Sequence, residues 1–252
     1  MQLIWYDARS SVETKKMNGR TMNVYKLVGL YAVVVAGGAM MVAALAEKKD
    51  MESKRGILHS VAALSRKTDF PVEPIFIERW SPRALSPKEI TDEELMPLFE
   101  AARWAPSSYN AQPWRFIYAK RGTENWNTLF NLMVPFNQAW ACNASALVLM
   151  VSYKYFPHNG EFSRTHAFDA GAAWQNFALQ ASQMGLVAHG MAGFDYDRAK
   201  IELNISDDYE ILMMIAVGRP GNSEDLPADL RTREEPSIRK PVSTFAFEGK
   251  LP

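Results

Sequence analysis

Two arginines flank a serine in the stretch Arg79-Trp80-Ser81-Pro82-Arg83. A guanidinium presents its donors as a fixed fork and a serine hydroxyl adds a neutral donor, so this spacing suits a doubly charged anion such as a phosphate without any glycine-rich loop. Solvated surface charge is the plain alternative for such a pair. A second polar cluster runs Ala105-Pro106-Ser107-Ser108-Tyr109-Asn110-Ala111-Gln112-Pro113-Trp114. Its hydroxyls and amides can close turns or meet the edge of a heterocycle. The third is His189-Gly190-Met191-Ala192-Gly193-Phe194-Asp195, where two glycines allow a backbone to approach a flat ligand. An ordinary loop explains any one of these; together they are three polar clusters able to converge on one ligand.

Other chemistries find little support. The 252 residues carry 28 Lys plus Arg against 28 Asp plus Glu, a balance that leaves no electrostatic footprint for nucleic acid. No G-x-G-x-x-G, Walker loop or H-E-x-x-H occurs, so a Rossmann nicotinamide site and a zinc peptidase are unsupported. His59, His158, His166 and His189 are scattered, with neither metal-ligand spacing nor a hydrolase triad signalled. The single cysteine, Cys142, forms no internal disulfide, and its alanine neighbours predict a small buried hydrophobe.

The clusters need a scaffold. Thr91 and Glu94 form a capping box that starts a helix, Leu95, Leu98, Phe99 and Ala102 recur on one face, and Pro106 ends it. Trp114, Phe116 and Tyr118 alternate as in a strand, and 145–151 is an apolar run suited to a buried central strand. Residues 166–184 have helical spacing, with Phe168, Ala172, Phe177, Leu179 and Ala181 toward a core and Gly185 as the stop. Short strands at 186–188 and 211–217 and a short helix at 198–203 complete an α/β or α+β domain.

Taken in order, RWSPR (79–83), APSSYNAQPWRF (105–116), AWQNFALQASQMGL (173–186), HGMAGFD (189–195), IAVGRPG (215–221) and IRKP (238–241) resemble the FMN-dependent nitroreductase family, over about residues 70 to 250. The resemblance implies an α+β three-layer sandwich with a mainly antiparallel central sheet, working as an intertwined homodimer with two FMN sites at the subunit interface. By the same resemblance Arg79, Ser81, Arg83 and Arg239 contact the FMN phosphate or ribityl chain. Pro106, Ser107, Ser108 and Asn110 reach the flavin of the partner subunit. Asn137 corresponds to a polar group at the flavin pyrimidine, and the amides of Ala192 and Gly193 lie near flavin N5. Trp80, Gln112 and Met191 complete the cofactor-binding set. No metal and no catalytic side chain are implied. One departure stands out: where many members carry a lysine a turn after the asparagine, this chain has Trp140, with Lys154 or Arg115 as candidate substitutes.

The implied activity is hydride transfer from NAD(P)H through flavin N5 to nitroaromatic, quinone or similar small acceptors by a ping-pong mechanism. Trp126, Phe130 and Phe136 fit core packing first and the border of an acceptor pocket second. Two other functions stay open: a membrane-anchored reductive dehalogenase, because iodotyrosine deiodinases of this family also place a hydrophobic helix before the domain, and a non-catalytic flavin-binding protein. The chain divides into a polar segment (1–26), a hydrophobic helix (27–46), a charged linker (47–68) and the FMN domain (69–252). The 20 uncharged residues LVGLYAVVVAGGAMMVAALA match a membrane anchor in length, with a cleaved signal ending near Ala44 to Ala46 and a packed helix as alternatives. Basic residues on both sides leave orientation undecided. Because NAD(P)H is cytosolic, the catalytic domain is expected in the cytoplasm.

Overall fold

The computed structural model describes residues 61–252 together with Met41 and Lys49. Contacts divide the chain into Met1–Lys49 and Asp50–Pro252, and the second unit holds everything that follows. The uncharged stretch 27–46 lies, Met41 apart, outside the described residues, as does His59. Among the described residues no helix is long and apolar enough to cross a membrane.

Five strands form one sheet: β1 (Leu85–Ser86), β2 (Trp114–Lys120), β3 (Ala146–Tyr153), β4 (Val187–Met191) and β5 (Tyr209–Pro220). Their order is β1-β5-β3-β2, with β4 also on β5, and every pairing is antiparallel. β5 is the seam. It pairs with β3 along Tyr209–Val217, with β4 along Met214–Gly218 and with β1 at Arg219 and Pro220.

β3 explains why its sequence is apolar without alternation. Leu147, Leu149 and Val151 join a core with Trp126, Leu129, Leu132 and Trp140, whereas Ala146, Val148 and Met150 join a second core with Leu95, Leu98, Ala102 and Phe177. A strand covered on both faces has no reason to place a polar residue at every second position. The first core receives the helices α3 (Glu124–Leu132) and α4 (Pro135–Ala141); the second receives α2 (Asp92–Arg103) and α5 (His166–Gln183). The result is a three-layer α+β sandwich, as expected.

The helix ends follow their local chemistry. The Thr91 amide donates to Glu94 Oε2 at 2.9 Å, closing one half of the capping box. α5 stops in a Schellman motif: Leu186 N donates to Ala181 O at 2.8 Å and Gly185 N to Ser182 O at 3.0 Å, with Gly185 at φ +70. Two expectations are corrected. Phe168 is 79% exposed, because the buried face of α5 runs through His166, Asp169, Ala170, Ala173, Phe177 and Ala181, and residue 168 falls between its turns. Cys142 is exposed, since it caps α4 on the outer side while Ala141 takes the inward position.

α1 (Pro74–Glu78) leads into the 79–83 segment, and the helical residues 61–65 precede it. The end of the stretch read as a linker is therefore held within this unit. Arg66 donates to the carbonyls of Ile77, Arg79 and Ser237.

Candidate functional site

The 79–83 segment and the C-terminal arm meet around a cavity of about 350 Å³, lined by Arg79, Trp80, Ser81, Arg83, His189 and Arg239, with Arg66, Arg233, Glu235 and Ser237. Its walls are rich in donors that the fold leaves unused. Arg79 Nε, Arg83 Nε and Trp80 Nε1 are buried and have no hydrogen-bond partner among the described residues. Buried N–H groups are costly to leave unpaired, and with five arginines against one carboxylate in its lining the cavity is suited to an acceptor-rich anion. Burial, and then the nearby Arg239 charge, pull the Arg79 pKa below its ordinary value. Arg79 Nη1 donates to Ser81 Oγ at 3.2 Å, which orients the hydroxyl. Glu234, far along the chain, pins the segment from behind: its carboxylate accepts from Arg83 N at 2.8 Å and from Ala84 N at 2.7 Å.

His189 stands in the cavity wall as an uncharged group. Burial holds its pKa down to about 4, with Arg83 and Arg79 acting in the same direction. Its Nδ1 lies 3.0 Å from the Pro82 carbonyl, which can only accept, so Nδ1 carries the proton. Trp140, outside the lining, packs against His189 with ring centroids 4.6 Å apart, and its buried Nε1 has no hydrogen-bond partner among the described residues. A neutral aromatic thus fills the place where the resemblance led us to look for a lysine. Arg115 does not line this cavity. It is exposed and donates to the Gln112 and Trp114 carbonyls.

Strand β4 extends further than its sequence suggested, so His189 to Met191 belong to the sheet and only 192–195 form a loop. That loop is stitched to the start of α4. Val134 N and Asn137 Nδ2 both donate to the Gly193 carbonyl, at 3.1 and 2.9 Å, and Asp195 N donates to Leu132 O. A Cβ on Gly193 would lie 2.7 Å from Asn137 Nδ2, so the absence of a side chain here leaves room for the asparagine. Asn137, Met191, Ala192 and Gly193 are thereby brought together, with Asn137 holding the loop.

The loop 106–112 takes a different course. None of Pro106, Ser107, Ser108, Asn110 and Gln112 lines the arginine cavity of its own chain. Tyr109, Asn110 and Gln112 have φ of 51, 54 and 47, a left-handed conformation that non-glycine residues seldom adopt. The buried carboxylate of Asp169 on α5 fastens this strained loop, accepting from Ser108 N at 3.0 Å and from Thr165 Oγ1 at 3.1 Å. Gln112 N donates to Ser107 Oγ at 3.0 Å.

Residues 77–219, more than half of the chain, match the model of the nitroreductase family. The chain belongs to the nitroreductase family. A solved structure described as an oxidoreductase containing FMN is 43% identical, with a TM-score of 0.72, covering 74% of this chain and 96% of that one. A nitroreductase family protein from Clostridium difficile shares the fold at 22% identity and a TM-score of 0.53, covering 69% of this chain and 95% of its own. Among curated relatives, a Streptomyces coelicolor protein named "Putative NADH dehydrogenase/NAD(P)H nitroreductase" is 27% identical over 62% of this chain and 89% of its own length.

Within this nitroreductase some residues were invisible to sequence reasoning. Arg66, Glu234 and Asp169 act on the site across long stretches of chain, and no local motif announces them. A Ser-His-Glu constellation also exists: Ser152 Oγ lies 2.7 Å from His166 Nδ1, and His166 Nε2 lies 3.4 Å from Glu210. Ser152 is completely buried, so it serves the core and cannot meet a substrate. Trp126 is buried and stacks on the half-buried Phe130, whereas Phe136 is 43% exposed.

Proposed function

We propose that this nitroreductase is an FMN-dependent oxidoreductase drawing on NAD(P)H. The single observation that carries the reading is the convergence of Arg79, Arg83 and Arg239 on one cavity whose buried Nε and indole donors lack partners. The donor set fits a phosphate monoester, and the relative with 43% identity is described as containing FMN. The chemistry supplied by bound FMN is two-electron transfer at N5, from NAD(P)H and then to a nitroaromatic, quinone or similar small acceptor in a ping-pong sequence.

The chain's own residues bind and orient. The guanidiniums hold the phosphate, with Ser81 as a neutral donor. His189, kept neutral, lines the cavity and is backed by Trp140. Asn137 fixes the 192–195 backbone at the place the ring is expected to occupy. The strained 106–112 loop, held by Asp169 and absent from its own chain's cavity, is best used if it completes the site of a second copy, so we read the working unit as a homodimer. The length of the uncharged stretch 27–46 is compatible with attachment to a membrane, and use of cytosolic NAD(P)H is what favours the cytosolic side for the catalytic domain.

The test is anaerobic. Purified protein reconstituted with FMN is expected to be yellow, to bleach on addition of NADH or NADPH, and to recover colour with nitroaromatic or quinone acceptors. Protein that stays colourless after FMN titration overturns the reading. Yellow protein that neither nicotinamide bleaches would instead be a flavin carrier.

A further inference from the structure

We propose that Arg66, from the segment before the family match, is a positioning residue of the cofactor-phosphate site, joining its two arginine-bearing arms and supplying a further positive charge to a dianionic phosphate monoester. This rests on the FMN reading above and extends it to a residue outside 77–219.

Three observations support it. Arg66 Nη1 donates to Ile77 O at 2.6 Å and to Arg79 O at 2.9 Å, and its Nε donates to Ser237 O at 3.0 Å. One planar guanidinium therefore ties the backbone that presents Arg79 to the backbone that presents Arg239, two segments far apart in sequence. Second, Arg66 lines the same cavity as Arg79, Arg83, Arg233 and Arg239, where Glu235 is the one carboxylate in the lining. Third, burial and then the Arg239 and Arg79 charges depress the Arg66 pKa, so these cations are close enough to repel.

The arrangement is uneconomical for a mere staple. A neutral amide would supply two of the three N–H donors these carbonyls take, so the carbonyls alone do not call for a full charge. A permanently charged guanidinium beside two others raises the cost of folding, and that cost is offset only when an anion of two charges enters the cavity. The same geometry fixes the distance between the arms, so the phosphate meets a prearranged cradle.

The test compares two ligands that differ only in the phosphate. Full-length apoprotein is titrated with FMN and with riboflavin, following flavin fluorescence, for the wild type, Arg66→Gln and Arg66→Lys. Arg66→Gln is expected to weaken FMN about tenfold while changing riboflavin by less than about twofold, and to flatten the salt dependence of FMN binding. Arg66→Lys is expected to recover part of the loss, since it restores charge without the planar fork. FMN affinity unchanged in Arg66→Gln overturns the proposal, as does an equal loss for both ligands, which a purely structural role would produce. Should Arg66→Gln fail to fold, Arg66→Lys is read against the same two criteria. A wild type that does not prefer FMN to riboflavin overturns the phosphate reading of the whole cavity, and this inference with it.

Discussion

The arginine cavity and the 106–112 loop solve opposite problems. In the cavity, charge is concentrated and donors are left unpaired, so the region stays poorly compensated until an anion arrives. In the loop the difficulty lies in the backbone: Tyr109, Asn110 and Gln112 are forced to positive φ, while Asp169 and Ser107 satisfy its amides from within the chain. The cavity holds its cost in electrostatics, which a ligand removes. The loop holds it in torsion, which only surrounding structure sustains. Substitutions in the two regions should therefore separate ligand affinity from stability.

The largest effect on affinity belongs to the cavity. Arg79→Gln is expected to weaken FMN about a hundredfold, since a charge-assisted contact to phosphate is lost, with riboflavin nearly unaffected. The urea midpoint of the Arg79→Gln apoprotein should not fall, because a buried like-charge contact is also relieved. A matching loss for riboflavin would erase the contrast.

Acid comes next. Unfolded His189 takes a proton near 6.5, but the folded group waits until about 4, so between these values the unfolded chain binds more protons and native stability falls as pH falls. The loss is of the order of 3 kcal/mol at full extent. The stabilisation should be complete above pH 6.5 and gone below 4, and this pH dependence should be missing from His189→Gln in urea unfolding of the apoprotein across that range.

For the loop, Asp169→Ala leaves the Ser108 amide and the Thr165 hydroxyl without their acceptor. A loss of about 2 kcal/mol in unfolding free energy is expected. The smallest effect sharpens the torsional account. Gln112→Gly removes one left-handed non-glycine residue and should raise stability by about 0.5 kcal/mol after the extra freedom of glycine in the unfolded chain is allowed for. A drop in stability would mean that the Gln112 side chain, which donates to Asn110 O, outweighs the strain.

Features governed by neighbours in sequence were legible before the structure. The Thr91 and Glu94 cap, the Gly185 stop and the doubly covered strand β3 all follow from spacing within a few residues. The arginine spacing of 79–83 was visible for the same reason. Features set by which residue meets which across the fold were not. Phe168 looked like core because it is large and lies in an apolar helix, yet facing depends on rotation by about 100° per residue. Cys142 resembles its alanine neighbours in size, but a helix cap points where the chain turns. That Gly193 makes room for Asn137 Nδ2 could not be read from its neighbours either. Glu234 and Asp169 are single acidic residues whose partners lie 150 and 61 positions away.

The central place of β5 constrains how a nascent chain can mature. Strands β1, β3 and β4 all wait for it, and β2 has only β3 to pair with. During synthesis the earlier strands emerge with unsatisfied edges and apolar faces, so cooperative closure of the sheet must await release of residue 220 from the ribosome. A chain arrested before Tyr209 would expose the edge of β3 to other chains, which makes premature termination in this stretch a route to aggregation.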